Sequence, residues 1–429
     1  MNKLINILED IFSKYYICSI CLSRLFYNSY SKKINISLGK KLKKELKKII
    51  IKNKKEKANI IIKNLYRNSK ECILCKNLFF FKIKKIILNI IYKIQFYEFN
   101  TFYIGIKIPS NLIKIEDEIR TKYEITSGDS LKSFFNKILC KIISKKTGKK
   151  VDFVNPDLKI IYEMENDLIK IEPTSLFIYG RYIKNKRGIR QTREYCDYCK
   201  GAGCSECNYT GYSNEPSIEN YILSFFKEKF NAEDSILHAA GREDIDVRTI
   251  NTGRPFVVEV KRPLKRNIEL KQIEEEINKN AKGDVIVKGL RYVDKDVMKK
   301  IKVLSKYEEK TYLLKVKFEK PVNKQILDFI VSQLNNRVIQ QRTPTRVLYR
   351  RKDIVRYKMV YSAEYNQIDK QIVEFKILCQ GGLYVKELAH GDNNRTNPSI
   401  ASLANMNVEV LSLDVISISP DLEKKLNLY

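Results

Sequence analysis

Three carboxylates and three arginines crowd into GREDIDVRTINTGR (Gly241–Arg254), just ahead of the apolar run PFVVEV. An aspartate can act as a nucleophile without a cofactor, provided it stays ionised and is held beside the reacting centre. Guanidinium groups flanking Asp244 and Asp246 favour that ionised form. The competing reading is a solvated surface turn, which is what most short acidic loops are.

The second chemistry-bearing group is sulfur. Eight of the ten cysteines fall into four Cys-x-x-Cys pairs, Cys18/Cys21, Cys72/Cys75, Cys196/Cys199 and Cys204/Cys207. A pair spaced in this way points two thiolates at one point, and two pairs complete a tetrahedral zinc site. In CDYCKGAGCSEC only Lys-Gly-Ala-Gly separates the pairs, and the glycines let the chain fold back sharply. Redox-active or plain structural thiols are the alternative; structural zinc is expected for at least one site, with the number of ions open. Cys140 and Cys379 stand alone in apolar runs, where a buried thiol is expected.

Other chemistries lack their parts. His238 and His390 are the two histidines, too few for a relay with serine beside a histidine-rich metal site. There is no GxxxxGK[ST] loop and no strand-GxGxxG-helix unit, so nucleotide cofactors have no cradle. Carboxylate, tyrosine and lysine chemistry on an anionic substrate remains. The formal net charge of +31 points to a polyanionic partner, with 23 Lys+Arg against 6 Asp+Glu in residues 1–100 alone. The most apolar stretch, Phe79–Phe99, is interrupted by Lys82, Lys84, Lys85 and Lys93, short of a membrane span. The first residues carry Glu9 and Asp10 and make a poor signal peptide. A cytoplasmic protein is expected.

The elements that must position these groups divide by composition. Residues 1–95 form a basic region with Cys pairs, helical in pattern. Residues 96–188 read as strand, helices and strands, the size of an RNA-binding module. Residues 189–212 are a Cys-knuckle segment, and 213–429 alternate strands and helices. At 429 residues several domains are the natural expectation. The fold class expected is multidomain α+β, an N-terminal zinc-binding α/β part followed by a mixed β-sheet domain.

These residues carry a resemblance. GREDIDVR, KTYLLKVKF (Lys310–Phe318) and GGLYVKELAHGDNNRTNPSI (Gly381–Ile400) resemble, in order and spacing, the three active-site motifs of pseudouridine synthases. Asn-Pro-Asp-Leu (Asn155–Leu158) resembles part of a THUMP RNA-binding domain. CDYCKGAGCSECNYTG is similar to the archaeal Pus-ten family of tRNA pseudouridine synthases. The likeness runs over roughly residues 100–429 and touches the N-terminal Cys pairs loosely.

What the resemblance implies is an isomerase that turns uridine into pseudouridine in tRNA, at uridines 54 and 55 of the TΨC loop. Asp244 takes the nucleophile's place, with Asp246 as rival. Arg242 fills the gap left by the flipped base or grips a phosphate. Tyr312 stacks on the uracil, Tyr384 forms a pocket wall, and Lys386 pairs with the catalytic carboxylate. Many synthases have arginine at that last position; lysine lacks the bidentate fork. The implied partner is tRNA, with no catalytic cofactor, no nucleotide cofactor and no membrane. The arginine run Arg342–Lys352 is expected to contact phosphates, with a solvated basic strand edge as the alternative. The alternatives are a non-catalytic zinc and tRNA-binding protein, or another THUMP-bearing tRNA-modifying enzyme.

Overall fold

The computed structural model describes residues 2–30, 36–53, 57–66, 71–305, 307–419 and 421–428. The lysine-rich run crosses residues 54–56, which lie outside them. The chain forms two units, residues 1–174 and 175–429.

In the first unit, helices α1 (Asn2–Lys14), α2 (Ser19–Tyr30), α3 (Ile36–Lys52), α4 (Ala58–Tyr66) and α5 (Ile83–Ile94) precede the sheet. Strands β1 (Thr101–Lys107), β2 (Lys150–Val151), β3 (Leu158–Glu163) and β4 (Leu168–Pro173) pair in the order β2-β1-β3-β4. The β1–β3 pairing is parallel and β3–β4 antiparallel. Between β1 and β2 run α6 (Ser110–Lys122) and α7 (Leu131–Thr147). Ser130 caps α7 by accepting from the Ser133 amide. The helix then lays Phe134, Phe135, Leu139 and Ile143, at helical spacing, into the core. That core is continuous from Leu8 and Phe12 in α1 to Ile160 in β3, so the basic region ending at residue 95 shares its interior with the sheet.

The second unit is built on a ten-stranded sheet. Its strands are β5 (Leu176–Lys184), β6 (Asp234–Ala239), β7 (Arg248–Lys261), β8 (Val285–Val293), β9 (Glu309–Phe318), β10 (Arg337–Arg342), β11 (Val355–Gln367), β12 (Ile372–Gln380), β13 (Thr396–Asn397) and β14 (Val408–Ile418). The order is β13-β10-β11-β12-β9-β14-β7-β5-β8, with β6 also on β7. This corrects the boundary expected at residue 188. Leu176–Lys184 is buried on both faces and pairs antiparallel with β7 on one side and β8 on the other. A strand covered twice belongs inside a large sheet, not at the edge of a small one. After the second cysteine cluster come two short helices, Ile218–Leu223 and Phe226–Lys229. Where β14 meets β7 the pairing is parallel and two residues long, Asp414 with Arg248 and Val415 with Thr249. The loop from Ala240 to Val247 enters the sheet at that seam.

Among the described residues no helix is long and apolar enough to cross a membrane.

Candidate active site and cysteine clusters

The acidic loop between β6 and β7 is held from beneath by cations. Glu243 is buried, and its carboxylate pairs with Arg254 at 2.7 Å. It also accepts from the Tyr182 hydroxyl at 2.8 and 3.0 Å. Gln191 donates both to that hydroxyl and to the Gly241 carbonyl, at 2.9 and 3.0 Å. Lys184 reaches the carbonyls of Asp244 and Ile245 at 3.2 and 2.8 Å. Gly241 has φ +88°, and a Cβ there would come within 3.0 Å of the Arg254 guanidinium. At the far end, Asp414 receives Arg248 at 2.9 and 2.6 Å and Arg187 at 2.6 Å. Arg187 also donates to the Asp246 carbonyl at 2.7 Å. So one of the three carboxylates, Glu243, is a buried anchor, and the other two face outward.

Asp244 and Asp246 share Lys386, unequally. The ammonium lies 2.7 and 2.8 Å from the Asp246 oxygens and 3.4 Å from Asp244. Burial would raise the Asp246 carboxyl, but the Lys386 hydrogen bond and charge hold it below its usual value. The closest cation to Asp244 is Arg346, 3.0 Å away. The same guanidinium donates through Nε to Glu387 at 2.6 Å, whose side chain is 1% exposed. Arg346 comes from the arginine run for which a strand edge is the alternative reading. It lies on a 3-10 turn, Thr345–Arg350, because the strand ends at Arg342 and Pro344 cannot donate to a ladder.

Around Asp244 runs a recess of about 110 Å³ lined by Arg242, Tyr312, Arg346, Tyr384 and Lys386, among others. An outer hollow of about 400 Å³ shares Asp244, Arg346, Arg350 and Lys386 with it and adds Arg190, Asp246 and Tyr349. All five residues expected at the site therefore line one cleft. Tyr312 stands on β9 at the seam, opposite Val415 of β14. Burial, then the neighbouring Cys379, pushes its phenol well above the usual tyrosine range, so it stays neutral. Tyr384 precedes the helix Val385–His390, its backbone fixed at both N–H and C=O by the buried Gln341 side chain, at 2.8 and 3.0 Å. Arg351 donates to its hydroxyl at 2.9 Å. That helix delivers Lys386 from its first turn.

Arg346, Glu387, Glu243, Arg254, Lys184 and Gln341 were not singled out from sequence. Arg254 carried a signal: an arginine leading through Pro255 into Phe-Val-Val-Glu-Val has to find an acid once buried. Arg346 carried none, being one of several arginines in a basic run.

The eight paired cysteines form two clusters, Cys18/Cys21/Cys72/Cys75 in the first unit and Cys196/Cys199/Cys204/Cys207 in the second, with sulfurs within 4.8 Å of one another. Four sulfurs at about 2.3 Å from one zinc stand about 3.8 Å apart. The sulfur separations fit that tetrahedron: 3.8 Å for Cys18–Cys75, 3.8 Å for Cys196–Cys204 and 3.7 Å for Cys199–Cys207. Backbone N–H groups of Cys18, Gly203, Cys204 and Gly211 aim at sulfur, which favours thiolates. Both clusters could hold structural zinc. Cys140 and Cys379 are buried free thiols.

Comparison with known proteins adds the family. The profile described as "Pus10, C-terminal" matches residues 177–419, and "Pus10 THUMP domain, archaeal" matches residues 87–163. A tRNA pseudouridine synthase Pus10 of Thermofilum pendens is 39% identical over 97% of this chain and 95% of its own length. That of Methanopyrus kandleri is 41% identical over 74% of each chain, and that of Methanocaldococcus jannaschii 36% over 95% and 93%.

Proposed function

This chain belongs to the Pus10 family of tRNA pseudouridine synthases, which are isomerases, and on that footing we propose that it converts uridines of the tRNA TΨC loop, at positions 54 and 55, with Asp244 as nucleophile. The observation that carries this reading is the Asp244 carboxylate, held between Arg346 and Lys386 in a cleft that Tyr312 and Tyr384 also line. The target nucleotide leaves its stack, at a cost of a few kcal/mol, because C1′ and C5 are out of reach in a stacked loop. Tyr312 takes the face of the uracil, a contact worth about 1–3 kcal/mol.

Asp244 then assists cleavage of the N1–C1′ bond, by attack on the sugar or the uracil or by taking a proton. The freed base turns within the pocket, C5 bonds to C1′, the proton on C5 leaves and N1 gains one. No atoms are gained or lost, which fits a site that needs containment more than a cofactor. Arg242, exposed at the cleft, fills the vacated space or meets the adjacent phosphate. Arg350 and Arg351 contact phosphates, which position the RNA without reading its sequence.

The test is pseudouridine mapping on unmodified tRNA transcript with wild type and Asp244→Ala. Product in the TΨC loop from wild type alone is expected. Equal product from both moves the nucleophile to Asp246, and tight binding with no product from either favours a tRNA-binding protein without catalysis.

A further inference from the structure

The lysines of α3 form one side of a hollow of about 990 Å³ beside the first cysteine cluster. We propose that this cleft binds unpaired RNA, its aromatic rings taking base faces and its lysines taking phosphates. The choice of RNA rests on the reading given above; the cleft itself lies outside the active site and belongs to the other unit.

Three observations support it. Lys40, Lys44 and Lys48 recur every fourth residue of α3 and are exposed, so they share a face, about 6 Å apart along the axis. With half-buried Lys47 and with Lys43, which is buried and donates to the Leu65 carbonyl, they make five lysines lining the hollow, and among the described residues no carboxylate lines it. Facing them are Tyr66 from the end of α4 and Phe80 and Phe81 from the π-turn Leu78–Lys82 that follows Cys75. In the run Leu-Phe-Phe-Phe, Leu78 and Phe79 turn into the core while Phe80 and Phe81 are 47% and 75% exposed. Two adjacent rings turned outward leave much of their surface unpacked, and exposed apolar groups rimmed by polar ones mark binding surfaces. Finally, the Lys47 ammonium already stands 5.0 Å from the Tyr66 ring, so cation and ring alternate across the opening.

That alternation is how single-stranded nucleic acid is held, bases on rings and backbone on cations. A continuous duplex keeps its base faces stacked and would leave Phe80 and Phe81 without partners. An amphipathic membrane surface separates its basic and apolar faces, whereas here both line one hollow.

The test uses full-length protein and a labelled ten-nucleotide single-stranded RNA of adenosine and cytidine, which offers the catalytic site no uridine. Phe80→Ala/Phe81→Ala is expected to weaken binding about tenfold or more. Lys44→Gln/Lys48→Gln is expected to flatten the slope of log K against log salt by about 1.4. Both variants change exposed side chains, and a thermal melt checks that they fold. Wild-type affinity in both variants overturns the proposal. So does equal binding of a blunt RNA duplex with no loss in the ring variant, which leaves a plain basic face, or a preference for phosphatidylserine vesicles over RNA. Pseudouridine formation is measured in parallel: a wild type that binds the oligonucleotide yet makes no product refutes the catalytic reading and leaves the cleft standing.

Discussion

Arg346 lies nearer to Asp244, at 3.0 Å, than Lys386, the residue that the family resemblance pairs with the catalytic carboxylate, at 3.4 Å. A lysine is a point charge, and here it sits closer to Asp246 than to Asp244. A guanidinium presents a planar fork, and this one spans Asp244 and the buried Glu387 together. Glu387 thus fixes the arginine, which in turn fixes the outward carboxylate. Arg346→Ala is expected to lower kcat by up to about a hundredfold, since misplacing a reacting group by an ångström can cost that much. Arg346→Lys should restore part of it, because an ammonium can satisfy one acid but not hold both in line. Single-turnover rates separate this from weaker tRNA binding; an unchanged single-turnover rate in Arg346→Ala would remove the residue from the positioning role.

The element that governs the site is the seam around β9. Tyr312 lines the cleft from this strand, and two residues before it Lys310 is buried, near Gly241 and Arg254. Burial, with the Arg254 charge adding to it, pulls its ammonium down to about 7. In the unfolded chain a lysine titrates near 10.4. Below about pH 7 the fold must carry a buried charge. Between there and about 10.4 the unfolded chain binds the extra proton, so stability rises with pH across that window and not beyond it. Wild type is therefore expected to gain up to about 1.4 kcal/mol per pH unit there from this group. Lys310→Met should lose that gain and be the more stable protein at pH 7. Denaturant unfolding at pH 6.5, 8 and 9.5 checks it; parallel curves for the two proteins would mean that Lys310 stays charged in the fold.

At the scale of the molecule, each unit carries its own cysteine cluster. The second cluster is tied toward the acidic loop through its flank: Gln191 holds Tyr182 and Gly241, and its own carbonyl accepts from the Glu219 amide. Zinc content of about two ions per chain is expected, one for each set of four thiolates. Cys207→Ser should bring it to about one, and the loss should lower the melting temperature of the second unit while the first cluster keeps its ion. Elemental analysis with calorimetry decides this; wild type purified with a single tightly held ion would show that one cluster is only a set of buried thiols.

Much of this was legible in the residues themselves. The Cys-x-x-Cys spacing is local, and two pairs that close in sequence leave few other geometries. Alternation of apolar residues along KTYLLKVKF and IVEFKILCQG marked strands, and three short motifs in register pointed to Asp244, Tyr312, Tyr384 and Lys386. Strand partners were not legible. Leu176–Lys184 reads as a strand of whichever module precedes it, and only pairing with β7 and β8 moves it across the boundary. Nor could the run of arginines from 342 to 351 reveal which one turns inward. That depends on where a buried acid 41 residues later, Glu387, comes to lie. Charges in a sequence carry no partners; the tertiary structure assigns them, because burial makes an unpaired charge too costly to keep.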